Sequence, residues 1–202
     1  MHQSSFDKMC SFRDRYLAAR KHEPLVILDL GSQDVNGSYR PLFDQGSWKY
    51  LGADMSSGAN VDIVLADPYC WNEVNPGSVD VLISGQAFEH IEYFWITMQE
   101  ISRVLKQAGL CCLIAPSGGP EHRYPVDCWR FYPDGFAAAA RFGGIEVVEV
   151  FTDWTPGDTY TDESALWKDT MLVGRKPRQT WFARRKASVR RWMMCKAAAW
   201  ND

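Results

Sequence analysis

The sequence predicts an α/β fold with a mostly parallel sheet, and three observations carry that prediction. Short, nearly continuous apolar runs recur at residues 25–30 (LVILDL), 79–84 (VDVLIS) and 110–115 (LCCLIA), the composition of strands buried on both faces. Segments of helical period lie between such runs, so strands alternate with helices. The last two strands, 145–152 and 167–175, have no helical pattern between them, and a return without a crossover predicts an antiparallel pair at one edge.

In chain order, residues 6–20 place Phe6, Met9, Cys10, Phe12, Tyr16 and Leu17 near one face, which predicts an amphipathic N-terminal helix within residues 1–22. Residues 25–30 form the first strand, 36–43 a short helix, 48–53 and 61–65 the next two strands, and 79–84 the fourth. From 91 to 106, Ile91, Phe94, Trp95, Met98, Ile101, Val104 and Leu105 recur at helical spacing, and the pattern stops near Gly109. The strand 110–115 follows. Residues 133–141 read as a helix with Pro133 at its start and Gly143 and Gly144 beyond its end. The final strand pair brings the total to seven. Residues 24–175 are the core, residues 176–202 a basic C-terminal helix, and the whole chain is read as one domain.

Composition narrows the class. Of 202 residues, 46% are apolar, with nine Trp and ten Phe, so the chain is globular rather than disordered. No apolar run approaches the roughly 20 residues of a membrane span. The N-terminus lacks the uninterrupted apolar core of a secretory signal, which implies a cytoplasmic location. The six cysteines form no C-x-x-C pair, which implies free thiols rather than a zinc site or disulfide framework, and no metal site is predicted. The net charge of −3 divides unevenly: residues 1–174 carry −11 and residues 175–202 carry +8.

In open α/β sheets, ligands bind beyond the carboxyl ends of the strands. The first strand ends at Asp29-Leu30-Gly31, where Gly31 permits a sharp turn and close backbone approach. Gln33 and Val35 stand where a dinucleotide-binding turn usually has further glycines, so the loop suits a cofactor without a pyrophosphate. Asp54 ends the second strand, where a carboxylate can accept hydrogen bonds from both ribose hydroxyls. Asp67 follows the third strand, and Glu89 and His90 follow the fourth. Taken singly, each acid has an ordinary explanation: Asp29 as a turn cap, Asp54 as a solvated strand end, and Asp67-Pro68 as a turn pair. Their succession in order along the strand ends favours a cofactor site.

The series VILDLGSQDVNGS, YLGADMSSGANVDIVLADPY, VDVLISGQAFEHI and EISRVLKQAGLCCLIAPS resembles the class I S-adenosylmethionine-dependent methyltransferases across roughly residues 24–175. That resemblance implies a Rossmann-like, seven-stranded, mostly parallel sheet with an antiparallel final strand and helices on both faces. It also implies S-adenosyl-L-methionine as cofactor. The implied site has Asp29 and Gly31 beside the methionine part, with Ser32 and Gln33. Asp54 is implied at the ribose with Met55, and Asp67 at the adenine with Pro68. Ser84 and Gln86 complete it at the end of the fourth strand.

The acceptor side is sought in residues 116–135, PSGGPEHRYPVDCWRFYPDG, which follow the fifth strand. His122 is the first candidate general base and His90 the second. Arg123 or Arg130 suits an anionic group, and Tyr124, Trp129, Phe131 and Tyr132 suit stacking on a ring. The same residues also have a structural explanation, in which Asp127 pairs with Arg130 and Trp129 plugs the core. The segment HRYPVDCWRFYP resembles methyltransferases of sugar and cell-surface polysaccharide pathways, which implies a small-molecule or glycan acceptor. In the tail, Trp181, Phe182, Val189, Trp192, Met193 and Trp200 fall on one broad face into which Arg185 and Lys196 intrude. Such a helix suits docking on the acidic body or a homodimer contact first, a peripheral membrane contact second and nucleic acid last. Two other classes stay open: a non-catalytic binding protein on a cofactor fold, and an NAD-dependent oxidoreductase, which the glycine pattern disfavours.

Overall fold

The computed structural model describes residues 2–154, 160 and 162–198. These form a seven-stranded sheet in the order β3-β2-β1-β4-β5-β7-β6. The strands are β1 (Val26–Leu30), β2 (Lys49–Asp54), β3 (Ile63–Val64), β4 (Val79–Gly85), β5 (Leu105–Pro116), β6 (Glu146–Thr152) and β7 (Asp169–Arg175). Strands β1 to β5 pair in parallel, and β7 inserts antiparallel between β5 and β6. The mostly parallel sheet with an antiparallel final strand is thus as the sequence implies.

The buried strands feed two cores by alternation. Leu28, Leu82, Cys111 and Leu113 pack with Met98 and Ile101 of α3 (Phe94–Val104) and Phe136 of α4 (Pro133–Gly143). Their sequence neighbours Ile27, Val81, Ile83 and Cys112 pack on the other face with Met9 and Phe12 of α1 (Gln3–Phe12) and Phe43 of α2 (Arg40–Phe43). A two-residue side-chain period with both faces covered explains why these strands read as unbroken apolar runs.

Several boundaries differ from the sequence reading. The N-terminal helix is regular only to Phe12, then passes through a π-turn (Arg13–Leu17) and a 3-10 turn (Ala18–Arg20). The helix expected at 36–43 is reduced to α2. The third strand shrinks to two residues. The helix expected at 91–106 ends at Val104, because Leu105 turns extended and pairs with Val79 as the first residue of β5. A short helix, α5 (Ser164–Trp167), lies between β6 and β7, where no helix was expected; at four residues it carries no periodic signal. The basic tail forms α6 (Trp181–Ala198), and Trp200 lies outside the described residues.

The strand order places the switch in winding direction between β1 and β4: the chain builds outward through β2 and β3, then returns to the other side of β1. The crevice beyond the carboxyl ends of β1 and β4 is where such a sheet holds ligands.

Candidate active site

A cavity of about 560 Å³ opens at that switch point. Its lining takes Asp29, Gly31, Ser32 and Gln33 from the end of β1, Asp54 and Met55 from β2, Pro68 from the loop after β3, and Gln86 and His90 after β4. His122, Tyr124 and Trp167 close it from above the fifth and seventh strands.

The first loop is held by its own backbone. The N–H groups of Gly31 and Ser32 both donate to the Ala53 carbonyl, at 2.9 and 3.2 Å. The Gln33 N–H donates to the Asp54 carboxylate at 3.0 Å and the Asp34 N–H to the Ala59 carbonyl at 3.0 Å. Gly31 has φ +76°, and a Cβ there would stand 2.5 Å from the Ala87 Cβ, so both conformation and packing require glycine. Gln33 and Val35 have no positive φ, which removes the need for further glycines at those positions. The loop leads to no helix until α2, so no helix terminus directly after β1 is offered to a pyrophosphate.

Charge points the same way. Among the described residues lining the cavity none is Lys or Arg, and three are carboxylates: Asp29, Asp54 and Glu163. Asp29 is almost fully buried, and burial pushes its carboxyl up to about 7 against the opposing hydrogen bond from the Tyr50 hydroxyl. Asp54 uses one oxygen on the Gln33 N–H and the other on the Met55 N–H at 2.7 Å. Thr97 Oγ1 is buried without a hydrogen-bond partner, and Thr97 lines the cavity. An acidic, apolar-walled slot with an unpartnered hydroxyl suits a cationic, hydrogen-bonding ligand and disfavours an anionic one.

At the other end, four rings form a row. His90 and His122 have centroids 4.9 Å apart, His122 and Trp167 4.8 Å, and Trp167 and His2 5.3 Å, and all four line the cavity. His90 Nδ1 contacts the Val126 carbonyl at 2.5 Å, so that nitrogen carries the proton and Nε2 is left as an acceptor. Burial lowers the His90 pKa, with the hydrogen bond to Val126 acting against it, which keeps the ring neutral near pH 7. Behind it, Glu89 is fully buried with both carboxylate oxygens unpartnered, and Oε1 lies 3.7 Å from His90 Nε2. Burial pushes Glu89 up to about 8. The Trp167 indole N–H is also buried without a partner.

Not every expected residue comes to the cavity. Ser84 is buried within the sheet, its hydroxyl donating to the Leu30 carbonyl at 2.8 Å, and it does not line the cavity. Asp67 accepts the Tyr69 N–H at 2.7 Å and lies outside the lining, between Leu65 and Pro68, which are in it. Arg123 is paired with Glu121 at 2.8 Å on the surface. Arg130 clamps Asp127 through two bonds of 2.6 and 2.8 Å, which hold that carboxyl down at about 2. Trp129 donates its indole N–H to the Glu92 carbonyl at 3.0 Å and packs edge-on against Phe94 and Trp95. Tyr132 packs on Trp154. These four are occupied in building the loop, Phe131 is buried in the core, and only Tyr124 of the six expected acceptor contacts lines the cavity. Sequence reasoning missed His2, Thr97 and Trp167, because an N-terminal residue, a mid-helix hydroxyl and a residue assigned to a strand carry no signal of convergence. Among the described residues no cluster of three or more His, Cys, Asp or Glu side chains is arranged to hold a metal ion.

Residues 28–113 match the model of a family described as "Methyltransferase domain". No curated protein matches the chain by sequence. Solved structures share the fold at low identity. The 1,6-didemethyltoxoflavin-N1-methyltransferase of Burkholderia thailandensis, with 1,6-didemethyltoxoflavin and S-adenosylhomocysteine bound, is 14% identical over 87% of this chain and 80% of that one, with a TM-score of 0.65. The [4+2]-cyclase SpnF is 12% identical over 86% of this chain and 82% of its own, at 0.64. A Haloferax volcanii chain in complex with the Trm112 methyltransferase activator is 19% identical over 88% and 99%, at 0.58.

Proposed function

We propose that the chain is a class I S-adenosylmethionine-dependent methyltransferase, and that it methylates an uncharged, hydroxyl-bearing small molecule, a sugar or a polysaccharide-pathway intermediate. The observation that carries this reading is the charge of the cavity: carboxylates without a lining Lys or Arg among the described residues, and a row of rings at the acceptor end. The acidic wall favours a sulfonium and an ammonium and disfavours a phosphate or carboxylate acceptor.

The residues present fit S-adenosylmethionine, the cofactor of this enzyme class. Asp29, Gly31, Ser32 and Gln33 would border its methionine part, Asp54 with Met55 its ribose, and Leu65, Pro68 and Trp71 its purine. Asp67, outside the lining, would hold the purine loop through the Tyr69 N–H, and Gln86 borders the passage toward the acceptor. When bound, the cofactor supplies the electrophilic methyl group and its thioether leaving group. The chain's own work is alignment, exclusion of water and proton removal. His90 Nε2 is the proton acceptor toward a hydroxyl, His122 and Tyr124 flank the acceptor, and Trp167 offers a ring face and an unpartnered N–H. The enzyme would work in the cytoplasm as one domain.

Calorimetric titration with S-adenosylhomocysteine and with NAD, side by side, tests the cofactor reading. Binding of NAD alone overturns it. Turnover screening on sugars and on their phosphorylated forms tests the acceptor, and preference for the phosphorylated forms overturns that part. A second reading, a cofactor-fold protein that transfers no methyl group, is favoured by the shared fold of a cyclase. Tight homocysteine-compound binding without turnover on any acceptor would select it.

A further inference from the structure

The helix α6 presents two faces of different character. The inner face is latched to the body. Arg191 Nη1 lies 2.9 Å from Oε1 of the fully buried Glu100, and Arg190 donates to the Phe142 carbonyl at 2.7 Å and to the Gln99 side chain at 3.2 Å. The Cys195 thiol donates to the Tyr69 carbonyl at 3.1 Å. The outer face carries Phe182, Lys186, Val189, Trp192, Met193 and Lys196, which recur at helical spacing and are all exposed. The four apolar members range from 51% to 78% exposed. Four large apolar side chains on one solvent-facing stripe, bordered by cations, form a surface that a purely soluble helix has no reason to keep.

We propose that this outer face docks the protein onto an anionic membrane surface, with α6 lying in the interfacial plane. Charge selects the occupant. Residues 175–202 carry +8 while the rest of the chain carries −11, so an anionic surface attracts the tail, repels the body and orients the approach. A second copy of the same face would bring lysine against lysine. Nucleic acid would satisfy the lysines but offers no environment for Val189, Met193 and Phe182 together. The acyl boundary of a lipid leaflet accepts the apolar stripe, and headgroup phosphates accept the cations. Among the described residues no helix is long and apolar enough to cross a membrane, so the contact lies on the surface. The latch through Glu100 keeps the outer face presented while docked. This inference stands independently of the acceptor reading.

The test is co-sedimentation of the full chain with vesicles of phosphatidylcholine alone and of phosphatidylcholine mixed with phosphatidylglycerol. Binding is expected only to the mixed vesicles and is expected to weaken with added salt. Lys186→Gln with Lys196→Gln should lower the partition coefficient by about 30-fold. Trp192→Ser with Met193→Ser should release the protein while leaving S-adenosylhomocysteine binding and circular dichroism unchanged. Should the serine pair unfold the helix, the glutamine pair reads the same face without touching its packing. Indifference to phosphatidylglycerol overturns the proposal. So does a dimer that the Trp192 substitution dissociates, or capture of RNA in preference to vesicles.

Discussion

Oδ2 of Asp54 accepts the backbone N–H of Gln33 at 3.0 Å, so the carboxylate at the end of β2 holds the loop that leaves β1. One side chain therefore shapes two walls of the cavity before it meets any ligand. Asp54→Ala should weaken S-adenosylhomocysteine binding by about 10- to 100-fold, the range of charge-assisted hydrogen bonds, as read by calorimetry. Asp54→Asn, which keeps one acceptor for the loop, should lose less. An unchanged dissociation constant in the alanine variant would remove Asp54 from the site.

Gly85 closes β4 directly against the Tyr39 ring: an added Cβ would lie 2.1 Å from the Tyr39 hydroxyl. That tyrosine is buried and bonded to Ser5 of α1 at 2.6 Å, so it has no free direction in which to yield. Gly85→Ala should destabilise the fold by about 1–3 kcal/mol, visible as a lowered Tm. A Tm equal to that of the parent would contradict this packing.

Glu89 makes stability depend on pH. Its folded carboxyl is raised from 4.5 to about 8, so between those values the folded chain holds a proton that the unfolded chain releases. Stability from this group is present at low pH and is lost as pH rises through that window. His2 and His90, lowered from 6.5, add a slope of opposite sign that fades above about pH 7.5, where both are neutral in both states. Glu89→Gln should therefore gain stability over the parent progressively from pH 6.5 to 8, while Asp29, raised to about 7, leaves a smaller slope of the same sign. Thermal melts across that range that run parallel would refute the buried, unpaired state of Glu89.

His90 and His122 divide the proton work unequally. His90 has a fixed tautomer, its Nε2 without a hydrogen bond and 3.7 Å from Glu89 Oε1, whereas the His122 imidazole is half exposed and lies 3.9 Å from the Asp127 carboxylate. For a hydroxyl acceptor, His90→Ala should lower kcat by about 10²- to 10⁴-fold with cofactor binding intact, and His122→Ala should act more on KM. The parent's rate should fall on the acidic side, below the ordinary histidine value of 6.5. Equal turnover in parent and His90→Ala would end the assignment.

The layout of the sheet was legible because both of its faces are covered. Ile27 and Leu28 enter different cores, so their strand reads as continuous apolar sequence, and the same holds for Cys111 and Cys112. Asp29 and Asp54 were legible because strand ends recur at regular places in such a fold. The acceptor end was not. Arg123 and Arg130 have the right chemistry, but Glu121 and Asp127, two and three residues away, satisfy them locally. Acids at that spacing were the available warning. Leu105 shows the same limit in the backbone: its helical spacing with Ile101 continues, yet pairing with Val79 turns it into strand. Trp167 and His2 meet only through tertiary folding, which local pattern does not encode.

The acid-walled, cation-free cavity has a kinetic corollary. Its carboxylates are worth most while the ligand bears a sulfonium charge and less once that centre has become a neutral thioether. The wall thus discriminates between reactant and spent cofactor by electrostatics alone. The same negative charges that draw the donor in loosen their hold after transfer, and departure of the by-product should grow faster relative to that of the donor as ionic strength falls.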